Sequence, residues 1–330
     1  AGGDAMEREV RWGVLGCAGI ARKAMIPAIL NAKGAKLYAL ASRTREKAEA
    51  FARMFPCERC YADYKALLTD PCVDAVYIPL PNVLHAEWVI RALEAGKPVL
   101  CEKPLAMTAA EVRDIIAVSR RTGVPVMEGF AYLHDPLTAR IRELIASGVL
   151  GRLRYLEANF CYLLKDMSNI RLRREVGGGA TYDLGCYPIS FFRALTGAEP
   201  LEISVAGRLG AVSQVDEDVH VRMLFPGDVV AVSYFSFQSH WNTYNVVIGE
   251  HGLLQLDTLF DRGDQKELIL DTDTAGRSVE TIFTGSRYAL QVEQMNRVIR
   301  EGQKPAVSLD FSLGNAVMMD SVLARCKDHG

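Results

Sequence analysis

The chain has 330 residues, 49% of them apolar and 24% charged, with a net charge of −2. That is enough for two domains with sizeable cores. It offers no basic surface for nucleic acid, because the cluster Arg171-Leu172-Arg173-Arg174 is too short to supply one.

No apolar run approaches the roughly 20 residues that cross a bilayer. Ala1-Gly2-Gly3-Asp4-Ala5 lacks a signal-peptide core and reads as an appended tail before Met6, so the expected location is cytoplasmic, with no membrane partner. The eight cysteines are scattered, and Cys57 and Cys60 form a single CxxC with no second pair, so no structural metal is expected.

The first 130 residues or so alternate β-rich runs with helical patterns. Strands are expected at Val10–Leu15, Lys36–Ala41, Ala75–Pro79, Val99–Glu102 and Pro125–Glu128; helices at Tyr64–Leu68, His85–Ala95 and Ala109–Thr122, with Gly96 and Gly123 closing the last two. Such alternation builds right-handed βαβ units and a parallel sheet. Beyond Pro136 the rhythm changes. A helix at Leu137–Ala146 is followed by a run at Leu153–Leu163 and a helix at Thr181–Leu195. Period-two runs then include Val219–Phe225, Val229–Phe237 and Tyr244–Gly249, and helices at Ala289–Glu301 and Phe311–Arg325 close the chain. The expected fold is α/β: a Rossmann-type domain over residues 6–128, then an α/β domain over 129–330 built on a large, mostly antiparallel open sheet.

The first strand runs into Gly16-Cys17-Ala18-Gly19-Ile20-Ala21, a dinucleotide fingerprint with Ala18 at the second glycine and Ala21 at the last small position. Small residues there let a backbone approach a pyrophosphate at a helix N-terminus. The second strand ends in Ser42-Arg43-Thr44-Arg45-Glu46-Lys47, with no carboxylate at its tip. An acid there would bond the ribose 2′-hydroxyl of NAD(H), whereas arginine suits the 2′-phosphate of NADP(H). NADP(H) is therefore the preferred cofactor over NAD(H), with Ser42, Arg43 and Lys47 on its adenosine side. The alternative is a solvated basic start to a helix. Pro79-Leu80-Pro81-Asn82 forms a stiff loop on which a nicotinamide or its ribose can rest, and His85 caps or supports that loop or acts as an acid.

Glu102-Lys103-Pro104 ends another apolar strand. A lysine at the carboxyl end of a buried parallel strand must pair or do chemistry, unless it merely opens a surface loop. Gly177-Gly178-Gly179-Ala180-Thr181-Tyr182-Asp183-Leu184-Gly185-Cys186-Tyr187-Pro188 leads into a helix on which Asp183 and Tyr187, four apart, share a face. They would meet Lys103 across a cleft, or else serve as a surface acid and a core-lining ring.

Gly16–Ala21, Glu102-Lys103-Pro104 and Gly177–Pro188 occur in the order found in the glucose–fructose oxidoreductase, inositol dehydrogenase and MocA family, which the sequence resembles over nearly its whole length. The resemblance implies a Rossmann domain, a C-terminal sheet often used for oligomers (here a homodimer or homotetramer), and pyridine-nucleotide chemistry on a sugar or polyol. It matches Lys103 to the family's catalytic lysine, Asp183 to the acid of its helix motif, and Tyr187 to a position that is histidine in inositol-dehydrogenase-like members. Tyrosine there, with Arg171, resembles the branch holding xylose dehydrogenase, dihydrodiol dehydrogenase and sugar 3-ketoreductases. Ala131-Tyr132-Leu133-His134-Asp135-Pro136 departs from that branch's Met-Tyr-Arg-Phe-His-Pro and is more similar to the ketoreductases.

The implied mechanism has Tyr187 exchanging a proton with a substrate alkoxide, Lys103 lowering its pKa, and Asp183 orienting the lysine or a substrate hydroxyl. No metal is needed. Tyr162, Arg171 and Tyr244 are expected to border the pocket for a sugar or sugar nucleotide. Two competing classes are a glycosidase that retains NAD and a nucleotide-sensing regulator without catalysis.

Overall fold

A computed structural model describes residues 8–257 and 259–327. The appended-tail reading of Ala1–Ala5 lies outside them. The chain forms two compact units. The first comprises the chain up to Ala106, Ala110–Ala131 and Tyr288–Ser312; the second comprises Met107–Ala109, Tyr132–Arg287 and the chain from Leu313 on. Residues 288–312, which the linear reading assigned to the second domain, are thus compact with the first.

The first unit carries six parallel strands: β1 (Val10–Leu15), β2 (Ala35–Ala41), β3 (Arg59–Tyr61), β4 (Ala75–Ile78), β5 (Val99–Glu102) and β6 (Val126–Gly129). Their order is β3-β2-β1-β4-β5-β6, so the order reverses between β1 and β4. At such a switch point the loops diverge and open a crevice at the carboxyl ends of the strands. β1 is buried on both faces, with Val10, Trp12, Val14 and Leu15 at 1% exposure or less. This is why it reads as an apolar run rather than as an alternation. The helices between strands are α1 (Ile26–Asn31, preceded by a π turn at Ala21–Met25), α2 (Arg45–Met54), α3 (Tyr64–Thr69), α4 (His85–Glu94) and α5 (Ala109–Thr122). In α4 the buried positions His85, Val89, Ala92 and Leu93 form one stripe.

The second unit opens with α6 (Pro136–Ala146), capped by Asp135, whose carboxylate accepts from Leu137 N. Its strands are β7 (Leu153–Ala158), β8 (Phe160–Leu163), β9 (Glu202–Leu209), β10 (Asp216–Phe225), β11 (Val229–Ser236), β12 (Gln238–Asn242), β13 (Asn245–Gly249), β14 (Gly252–Leu256), β15 (Gln265–Thr272) and β16 (Gly276–Phe283), with α7 (Cys186–Thr196) between β8 and β9. After α8 (Arg287–Glu301) and α9 (Leu309–Leu323), β17 (Cys326–Lys327) joins the sheet beside β9. The sheet has 11 strands and is mostly antiparallel, as its period-two patterning implies. It is not a simple meander: β7 lies between β13 and β11 and runs parallel to β11. In β10, Val219, Val221 and Met223 are buried while His220 and Arg222 alternate outward.

Candidate active site

In the first unit, β1 ends at Gly16, whose φ of +115° is open to glycine; a Cβ there would also press on Leu80 Cδ2 at 3.0 Å. Gly16 N donates to Ala41 O at 2.9 Å, tying the turn to the tip of β2. Ala21 is fully buried, whereas Cys17, Ala18 and Ile20 are half-exposed and Gly19 is exposed. A Cβ at Gly19 would meet no atom within 4 Å, so this glycine answers no packing demand of the chain itself. A turn open at Gly19 and Ala18, leading into a helix start, fits a pyrophosphate.

Ser42 is 4% exposed, and its hydroxyl lies beside the Cys17 thiol, which burial pushes up to about 11. Arg43 is exposed and sits ahead of the helix rather than in it. Thr44 is the N-cap, its hydroxyl accepting from Lys47 N at 3.3 Å, so the guanidinium is not set against the helix dipole within α2. Lys47 is exposed in the first turn.

Beyond β4, Pro79 and Leu80 are buried and Pro81 and Asn82 are half-buried. His85 is 1% exposed. Its Nδ1 lies 2.6 Å from Pro104 O and its Nε2 2.7 Å from Leu80 O. Both nitrogens are therefore occupied, and the ring supports two loops rather than facing a ligand. Burial pushes its pKa below the usual histidine value, although the two carbonyls oppose this; the Lys103 ammonium adds to the depression. Glu102 accepts from the Tyr77 phenol at 2.6 Å, and Leu105 N donates to the buried Glu128 at 2.7 Å. Lys103, half-buried and joined to Pro104 by a cis peptide, is therefore held on three sides: by Glu102 before it, by His85 on the Pro104 carbonyl, and by Glu128 on Leu105. Glu128 and Tyr77 carry no sequence signal for this role. It arises because β4, β5 and β6 are neighbours.

In the second unit the glycine triplet brings two segments together. Gly179 N donates to Arg171 O at 2.8 Å and Gly178 N to Arg173 O at 2.9 Å. A Cβ at Gly178 would stand 2.5 Å from Arg171 O. At Gly179, with φ of +120°, a Cβ would overlap Asp216 Oδ1. Asp216 is 2% exposed and accepts from Thr181 N at 2.7 Å and from its hydroxyl at 2.5 Å; burial pushes its carboxyl up to about 6.

From that anchor a π turn, Thr181–Gly185, continues into α7 and sets Asp183 against Arg171, Nε to Oδ2 at 2.8 Å. Asp183 is the main cause of the raised Arg171 pKa, and Tyr162 and Tyr187 add to it, so these four residues form one cluster. The Tyr187 ring is half-buried, 5.2 Å from Phe260, 5.4 Å from Phe160 and 5.9 Å from Tyr132. Tyr244 falls elsewhere: it lies near Glu157 and Asp257, and burial and these acids push its phenol up. A depression of about 470 Å³ is lined by Glu157, Asn159, His220, Arg222 and Tyr234. It follows the outward residues of β10, whereas Gly185 of the turn faces Phe235 on the buried side of β11. It is thus not the Tyr187 site.

Chemically, the second unit presents a phenol on an aromatic floor beside a guanidinium–carboxylate pair. The first presents a pinned lysine and an open turn at a helix start.

Both units match families of known proteins. Residues 10–130 match the profile of the oxidoreductase family with an NAD-binding Rossmann fold, and residues 138–255 that of the GFO/IDH/MocA C-terminal domain. A dTDP-3,4-didehydro-2,6-dideoxy-alpha-D-glucose 3-reductase of Saccharopolyspora spinosa is 35% identical over 271 residues, covering 82% of this chain and 81% of the relative. A D-xylose 1-dehydrogenase (NADP(+)) of Haloferax volcanii is 33% identical over 322 residues, covering 94% and 95%. A 3-ketoreductase from Actinomadura kijaniata, solved with NADP and TDP-benzene, superposes with a TM-score of 0.91 at 30% identity, covering 97% of this chain and 99% of that one. It was also solved with one tyrosine replaced by phenylalanine and with one lysine replaced by alanine or glutamate. The chain belongs to the Gfo/Idh/MocA family of oxidoreductases.

Proposed function

We propose that this protein is an NADP(H)-dependent oxidoreductase acting at a C–OH or C=O carbon of a sugar or sugar derivative, with Tyr187 as the proton donor and acceptor. The observation that carries this reading is the setting of Tyr187: a half-buried phenol on an aromatic floor, in one cluster with Arg171 and Asp183. When bound, NADP(H) would supply the hydride chemistry. The turn at Gly16–Ala21 would hold the pyrophosphate and Arg43 the 2′-phosphate.

The chain's own groups handle the proton. An alkoxide forming on the substrate takes a proton from the Tyr187 hydroxyl; in oxidation the phenolate removes it. A free phenol titrates near 10, so the step needs positive charge nearby. Arg171 provides one, since the attraction that raises the guanidinium equally favours the phenolate. Lys103 provides a second and binds a substrate hydroxyl. Asp183 keeps Arg171 in place.

The ketoreductase relative supports the assignment of both residues. Its replaced lysine and tyrosine are separated by the same number of positions as Lys103 and Tyr187. Arg43 at the β2 tip, with no acid there, supports an exchangeable NADP over a permanently held NAD.

The test is NADPH-linked absorbance change against free aldoses, keto sugars, dihydrodiols and nucleotide-linked keto sugars. Tyr187→Phe and Lys103→Met should each lower turnover by about 10²- to 10⁴-fold with NADPH affinity unchanged. Normal turnover in Tyr187→Phe would end the assignment.

A further inference from the structure

The aromatic floor under Tyr187 does not stop where the core stops. Phe260 and Tyr132 are buried, Phe160 and Tyr187 half-buried, and the next ring, Trp241 of β12, is 52% exposed. Phe160 stacks on Phe260 at 5.7 Å and meets Trp241 edge-on at 6.0 Å, so Tyr187, Phe160 and Trp241 form a row leading out of the core. A tryptophan contributing this little to the core keeps an apolar, π-rich surface in water. The segment after β8, whose Leu163 pairs with Gln238 of Trp241's own strand, adds exposed Leu163, Met167 and Ile170. It also bears Lys165, Arg171, Arg173 and Arg174 against Asp166 and Glu175, a net positive charge.

We propose that Trp241 is the stacking platform of a second substrate subsite, which takes a planar aromatic group joined to the sugar whose carbon reacts at Tyr187. This rests on the Tyr187 reading above. Continuity with Phe160 and Tyr187 identifies the occupant. Trp241 itself stands two ring-to-ring steps, 5.4 and 6.0 Å, from Tyr187, so one extended ligand whose sugar reacts at Tyr187 can carry a second group onto it. A nucleobase and an aromatic aglycone share this chemistry, and the positive segment favours the nucleotide, whose phosphates are anionic.

The test measures binding to the NADP-loaded full-length protein by calorimetry, using thymidine 5′-diphosphate, phenyl β-D-glucoside and methyl β-D-glucoside. At least one aromatic probe should bind wild type more tightly than the methyl glucoside. Trp241→Ala should weaken that probe by about 5- to 150-fold, Trp241→Phe should retain most of the affinity, and the methyl glucoside should be unaffected. Preference for the diphosphate assigns a nucleotide; preference for the phenyl glucoside assigns an aglycone.

No aromatic preference in wild type, or equal losses for all three probes, overturns the subsite. So does a Trp241→Ala protein that binds normally but sediments as a smaller species, which would make this surface an interface. Tyr187→Phe should keep the aromatic preference. If that variant also turned over normally, the proton-donor reading would fall while the binding comparison still decided the subsite.

Discussion

Gly179→Ala tests whether the glycine triplet exists to seat the Arg171 segment against the start of the Asp183–Tyr187 helix. The cost has two parts. Holding a Cβ residue at φ of +120° costs about 1–3 kcal/mol. The new methyl also overlaps Asp216 Oδ1 in a site where Asp216 is 2% exposed, and overpacking of this kind adds about 1–3 kcal/mol. If Asp216 swings away instead, Thr181 N and its hydroxyl lose a charged acceptor, at a similar cost. Gly197→Ala is the matched control: its φ is +62° in the same unit, and a Cβ there meets nothing within 4 Å, so only the conformational part, about 1–2 kcal/mol, applies. Thermal melts and urea titrations of the two variants should differ by about 1–4 kcal/mol, or several degrees in Tm. Equal losses would refute the steric argument and leave the motif without a packing role.

Asp216 should also make stability pH-dependent. Its folded pKa of about 6 lies above the unfolded value near 3.9. The folded state therefore binds the proton first, and the penalty, fully present above about pH 6, is relieved as pH falls toward 4. Wild type should gain roughly 2–3 kcal/mol relative to Asp216→Asn between pH 7 and pH 4 by urea titration; a gain on raising the pH would contradict this.

Arg43→Ala should raise KM for NADPH much more than KM for NADH in steady-state assays, and equal effects would remove Arg43 from the 2′-phosphate. His85→Ala removes the ring that the Leu80 and Pro104 carbonyls face, whose single N–H when neutral donates to one of them, so unfolding should cost about 1–3 kcal/mol less, and kcat should fall while KM for NADPH holds. A loss confined to cofactor KM would return His85 to the cofactor. Lys266, fully buried against Asp135 and the carbonyls of Leu259 and Asp261, has its pKa lowered to about 8 by burial. Lys266→Met should destabilise by about 3–5 kcal/mol in chemical denaturation, because the buried Asp135 then loses its nearer cation and keeps the Leu137 N–H and, at 3.9 Å, Arg287.

What could be read from residues alone was whatever is decided locally. Val10–Leu15 and Val99–Glu102 are strands over those very residues, because buried parallel strands are short apolar runs stopped by glycine or by a charged residue and proline. The helices at Tyr64 and His85 begin where expected, and Gly96 and Gly123 close two helices at positive φ. Arg59–Tyr61 gave no signal: three half-exposed or exposed residues at a sheet edge carry no pattern. The parallel pairing of β7 with β11 was equally silent, since it joins residues some 75 positions apart, Val230 opposite Tyr155. Among the candidate residues, Lys103 in the first unit and Asp183 and Tyr187 in the second stood out by chemistry. Glu128, Tyr77 and Asp216, which hold the backbone around them, did not, because an acid or a phenol in a strand looks ordinary until its neighbour across the sheet is known.

The return of Tyr288–Ser312 to the first unit constrains protein engineering. The Trp12 indole N–H in the central strand donates to Asn296 Oδ1 at 3.0 Å, Asn296 Nδ2 donates to Lys33 O at 2.9 Å, and Arg300 reaches the carbonyl of Glu9. A fragment cut near residue 130 would strand a fully buried indole without its acceptor and uncover the seam beneath it. Grafting the first unit must therefore move two stretches of polypeptide together, since that unit is completed by Tyr288–Ser312.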